Sequence, residues 1–180
     1  MRGLRFHAPM VAGVRVGMSR NEARDRKMKR PQERRFDAFK LAASHGELKG
    51  SIEPGTLERL EDRIPDAIAD AGGGWIDWAI RGAADEQGRP AITVSIAGTV
   101  PLECQRCLGL LEQPVEQSTT LLLARNEADL LHLDEVSEHE VVLANAPLDP
   151  VALVEDELLL TLPFAPRHEA NCDPASAVAR

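Results

Sequence analysis

WIDWAIRGAADEQGRPAITVSIAGTVPLECQRC, residues 75–107, sets the fold class of this 180-residue chain. Ile92, Val94 and Ile96 alternate with Thr93 and Ser95, and a period of two is that of a strand with one buried face. Residues 75–81 read as a first strand, 85–90 as a turn and 91–100 as a second strand. A third, 114–123, follows the paired cysteines. The simplest arrangement is α+β, a small antiparallel β-sheet meander with the Cys-x2-Cys pair at a hairpin end.

Toward the C-terminus, residues 124–146 read as an acidic connection with a short strand at 140–143. LDPVALVEDELLLTLP, residues 148–163, is the clearest helix. Asp149 can cap it, Pro150 suits a first turn that needs no amide donor, and Pro163 stops it. Val151, Val154 and Leu158 share a face with Leu162, broadened by Leu153 and Leu160, so this amphipathic helix is expected to cover the sheet. Glu155, Asp156 and Glu157 are expected on its exposed side, facing a partner. Nothing in the pattern buries them as acid–base chemistry requires.

Toward the N-terminus the pattern is less decisive. In FDAFKLAASHGELKGSIEP, residues 36–54, Phe36, Phe39 and Leu41 suggest a short strand or edge segment. GTLERLEDRIPDAI, residues 55–68, is expected to hold a short helix capped by Thr56, with Leu57, Leu60 and Ile64 at helical spacing. Gly72, Gly73 and Gly74 are a turn without the surroundings of a phosphate loop.

Charge divides the chain. Residues 1–40 hold twelve Lys or Arg and four Asp or Glu, giving +8, while 41–180 hold nine against twenty-five, giving −16. Arg20, Arg24, Arg26, Lys27, Lys29, Arg30, Arg34 and Arg35 could neutralise phosphates without reading sequence, or form a solvated segment that touches nothing specific. A body at −16 repels phosphate and suits a basic protein. Four Phe, two Trp and no Tyr argue against an aromatic RNA-reading sheet. No apolar run approaches the roughly 20 residues that span a bilayer. Three cysteines and no leader pattern point to reducing cytoplasm.

Cys104 and Cys107 lie close enough in sequence to direct two thiolates at one ion, and His168 and Cys172 could complete a closed Cys3His zinc site of structural type. Ordinary reduced cysteines are the alternative, since spacing alone does not bring residues 107 and 168 together. A thioredoxin-like redox pair would need a strand-to-helix context that these cysteines lack. His7, His45, His132 and His139 have no comparable partners.

VPLECQRCLGLLEQPV, followed about forty residues later by LDPVALVEDELLLTLPFAPRHEANC, resembles the YceD family of large ribosomal RNA subunit accumulation proteins. The resemblance covers roughly residues 36–173, read as one α+β domain; residues 1–35 are a basic, flexible extension and 174–180 a flexible tail. It implies a non-enzymatic bacterial cytoplasmic factor supporting synthesis, processing or accumulation of large-subunit (23S) ribosomal RNA and assembly of the large subunit. Cys104, Arg106, Cys107, Glu155, Asp156, Glu157 and Cys172 coincide with recurrent family features, and no enzyme role comes with them. The expected partner is precursor ribosomal RNA or a basic ribosomal or assembly protein, met by Glu155, Asp156 and Glu157, with Arg106 available to a phosphate or carboxylate. A direct RNA-binding module and a zinc-stabilised RNA-processing enzyme are the other readings.

Overall fold

A computed structural model describes residues 35–60, 63–64, 73–169 and 172. The extension expected at 1–35, of which Arg35 alone is described, and the tail at 174–180 lie outside the described residues, as do Gly72 and much of 55–68.

Five strands in sequence order form one sheet: β1 (Glu47–Ile52), β2 (Ile76–Ala84), β3 (Pro90–Glu103), β4 (Leu110–Ala124) and β5 (Glu140–Leu143). The first four pair antiparallel, β2 to β3 from Ile76↔Gly98 to Ala84↔Pro90 and β3 to β4 from Ala91↔Leu122 to Glu103↔Leu110. The expectation of a wholly antiparallel sheet is corrected at β5, which pairs parallel to β4 from Leu121↔Glu140. The acidic connection contains a helix, α2 (Glu127–Val136), whose Asn126 side chain accepts from Asp129 N. A strand, helix and neighbouring strand in succession form a crossover, and a crossover returns the chain parallel.

Alternation along β2 and β3 sends Ile76, Trp78, Ile80, Ile92, Val94 and Ile96 into the main core. On the opposite face Thr93 and Thr120 meet at 3.3 Å, and Ser95 and Ser118 at 2.9 Å. Two further helices cover the core side. The segment left ambiguous by its sequence is α1 (Ala38–Ser44) followed by β1, with Asp37 accepting from Lys40 N at 3.0 Å and His45 ending the helix in the left-handed region at φ 48. Gly82 lets α1 approach, because a Cβ there would lie 1.9 Å from Leu41 O. α3 (Pro150–Thr161) starts as its sequence indicates, with Asp149 accepting from Val151 N and Ala152 N.

Val154 and Leu158 of α3 are fully buried, and Leu153 and Leu162 join them. Each such side chain stabilises the fold by about 1.5–3 kcal/mol relative to exposure. Leu160 is 71% exposed, so it does not broaden the buried face as expected. α2 packs on the other side of the sheet, where Leu133 meets Ala91, Leu122 and Ala124.

Where a helix is expected to start at Thr56, the described residues up to Leu60 form two short 3-10 turns, Pro54–Thr56 and Glu58–Leu60. Thr56 caps neither; its hydroxyl donates to Glu53 O at 2.8 Å. Among the described residues, no helix is long and apolar enough to cross a membrane.

Candidate metal centre

The turn between β3 and β4 is built by backbone hydrogen bonds. Cys104 N donates to Gly109 O at 2.9 Å, and Leu108 N donates to Cys104 O at 2.8 Å. Leu108 adopts φ 57, in the left-handed region, which reverses the chain immediately after Cys107. The segment leaving α3 runs beside this turn. Arg63 Nη2 donates to Pro163 O at 2.9 Å, and Gln105 N donates to Pro166 O at 2.9 Å. These contacts carry His168 and Cys172 to the hairpin end.

The four donor atoms of Cys104, Cys107, His168 and Cys172 all lie within 4.8 Å of one another. The Sγ atoms of Cys104 and Cys172 are 3.7 Å apart, and Cys107 Sγ is 3.6 Å from His168 Nδ1. A zinc tetrahedron with ordinary bond lengths has S···S edges of about 3.8 Å and S···N edges of about 3.6 Å. The two separations therefore already match the edges of a coordination tetrahedron. His168 Nε2 lies 3.0 Å from Leu110 O; since the carbonyl can only accept, Nε2 carries a proton, and in the neutral ring that a metal would bind the Nδ1 lone pair is left for the cysteine side.

The electrostatics suit an ion. Burial raises the Cys104 thiol, but the backbone N–H groups of His168, Arg106 and Cys107 outweigh it and bring the pKa to about 5. Cys172 is likewise lowered, burial being overcome by the Arg106 and His168 side chains. Cys107 has the Gly109 N–H pulling it down, yet burial and the neighbouring Cys172 and Cys104 sulfurs raise it. His168 is raised, first by Cys172 and then by the Leu110 carbonyl. Thiols crowded this way resist ionising together until a cation joins them. Cys104 is buried and the other three are half-buried, and four protein donors fill a tetrahedron, the mark of a structural rather than an open catalytic site.

The residues expected to meet a partner are placed differently. Arg106 Nε donates to Cys172 Sγ at 2.8 Å, so this guanidinium belongs to the cysteine cluster, a role its sequence position gave no sign of. Glu155 and Glu157 are 8% and 4% exposed, which corrects the expectation of an exposed acidic triplet. Glu155 accepts from Arg59 N at 2.7 Å, and Glu157 accepts from the Thr119 hydroxyl at 2.7 Å. Asp156 remains half exposed and pairs with Arg59. A shallow depression of about 450 Å³ on the open sheet face, lined by Asp77, Arg81, Ser95, Glu116 and Ser118 among others, contains none of these residues.

Fold and site together define an α+β domain whose hairpin end carries a Cys3His cluster able to hold a metal. Residues 92–179 match the model of the family described as large ribosomal RNA subunit accumulation protein YceD. The large ribosomal RNA subunit accumulation protein YceD of Haemophilus influenzae is 28% identical over 141 residues, covering 78% of this chain and 78% of that protein. The chain is thus similar to YceD proteins, with the family model covering its C-terminal part from residue 92. No solved structure matches it.

Proposed function

We propose that the protein is a non-enzymatic cytoplasmic factor supporting accumulation of large-subunit (23S) ribosomal RNA, and with it large-subunit assembly, by docking a basic ribosomal or assembly protein. The observation that carries this reading is the family match, which spans the Cys3His cluster and α3. The acidity of the body supports a basic protein over RNA as the direct contact. With Glu155 and Glu157 buried, much of the surface acid lies on and after α2, where Glu127, Asp134, Glu135, Glu138 and Glu140 are exposed beside Leu131 and Val136.

The Cys3His cluster, in this reading, holds a structural zinc that fixes the segment after α3 against the hairpin. Elemental analysis of purified protein tests that part. Stoichiometric zinc that is lost in Cys104→Ser supports the site, and protein that takes up none under metal-replete conditions refutes it.

The functional reading is tested by capturing the native protein across a sucrose gradient, with and without ribonuclease. Association with large-subunit precursors that survives ribonuclease supports protein docking. Loss on ribonuclease treatment replaces it with direct RNA attachment, and recovery only as free protein overturns the ribosomal role.

A further inference from the structure

Arg106 sits between Cys104 and Cys107 on the turn, yet its Nε reaches the sulfur of the third cysteine, Cys172, at 2.8 Å. That contact ties the turn to a cysteine 66 residues further along the chain. A zinc ion with three thiolates and one neutral imidazole carries one net negative charge, and a guanidinium held against a thiolate offsets it.

We infer that Arg106 is a positioning residue of the metal centre: its guanidinium caps the Cys172 sulfur, clasping the C-terminal segment to the hairpin turn and shielding that sulfur from electrophiles. This rests on the proposed zinc reading. A hydrogen bond to a metal-bound sulfur draws on the lone pair that an electrophile would attack, and partners of this kind also orient the ligand. Their loss typically costs 10- to 100-fold in metal affinity.

The test uses the full chain as wild type, Arg106→Ala and Arg106→Lys, each titrated with zinc against a chromophoric chelator of known affinity. The zinc-loaded proteins are then treated with iodoacetamide, and the modified cysteines are mapped by mass spectrometry. Arg106→Ala should bind zinc about 10- to 100-fold more weakly and be alkylated faster at Cys172, with Cys104 unchanged. Arg106→Lys, which keeps the charge without the planar fork, should fall between the two. Urea unfolding of the metal-free proteins should coincide, showing that the effect acts through the metal and not through general stability. Equal affinities and equal Cys172 labelling in wild type and Arg106→Ala would overturn the inference while leaving the zinc site standing. Wild-type protein that takes up no zinc would remove both.

Discussion

Removing the Thr119 hydroxyl should destabilise the fold more at neutral pH than in acid, because the group it serves is the buried carboxylate of Glu157. That side chain is 4% exposed on the sheet-facing side of α3 and accepts from Thr119 Oγ1 at 2.7 Å. Burial raises its pKa above the ordinary 4.5, Thr119 works against the rise, and the charges of Glu140 and Asp156 add to it. A carboxyl whose folded-state pKa exceeds its unfolded value binds its proton more tightly when folded. Its ionisation therefore destabilises the fold, with no effect below the unfolded value and a growing one as pH rises through the folded value.

Thr119→Val keeps the shape and deletes the donor. A hydrogen bond to a charged group contributes about 1.5–3 kcal/mol, and one between neutral groups about 0.5–1.5 kcal/mol. The cost of the substitution should then be larger by about 1 kcal/mol above the folded pKa than below pH 4.5. Glu157→Gln should gain on wild type as pH rises, since its amide cannot ionise. Thr119→Val combined with Glu157→Leu should return to within about 1 kcal/mol of wild type, because neither partner is left unsatisfied. Urea unfolding followed by Trp75 and Trp78 fluorescence reads these proteins together with Glu157→Leu alone, which additivity requires, and comparing them at each pH cancels the titration of the cysteine end. A Thr119→Val cost that does not change with pH, or strict additivity of the two substitutions, would refute the reasoning.

Leu108 occupies the left-handed region with its side chain 44% exposed. Relief of about 1–2 kcal/mol of backbone strain, less about 0.5–1 kcal/mol of extra chain entropy, should leave Leu108→Gly slightly more stable in urea, and a loss of more than about 1 kcal/mol would contradict this. Glu155→Ala should cost about 1–3 kcal/mol by orphaning Arg59 N, whereas Asp156→Lys on the exposed pair should cost under about 1 kcal/mol; equal losses would show that burial does not separate the two acids. Chelator should lower the urea midpoint of zinc-loaded wild type and leave Cys104→Ser unmoved, since metal held by the folded state alone is folding free energy.

Much of the sheet was legible because alternation is local. Ile92, Val94 and Ile96 announce their shared face without reference to anything else, and Asp149 with Pro150 announces a helix start in the same way. α2 was not legible, because it buries Leu133 alone and leaves Leu131 and Val136 exposed, so its apolar stripe is too thin to show a period. That omission also produced the wrong direction for β5, since without a helix between them two neighbouring strands default to antiparallel pairing. The ambiguity at 36–54 has another origin. Seven residues of helix and six of strand follow each other too closely for either period to repeat.

The acidic triplet failed for a reason that reaches the function. Positions 155 and 157 stand about 200° apart around a helix, so no single buried face can take both, and a rule that assigns one apolar side to α3 must leave at least one acid in solvent. α3 instead has cover on two sides. The 3-10 turn at Glu58–Leu60 supplies a backbone donor to Glu155, and β4 supplies a hydroxyl to Glu157. Both partners are distant in sequence. Reversing all three charges would therefore unfold the helix's surroundings and could not report on a docking face. A charge-reversal test of partner binding belongs on exposed acids such as Asp134, Glu135 and Glu138, where a lost partner cannot be mistaken for a lost fold.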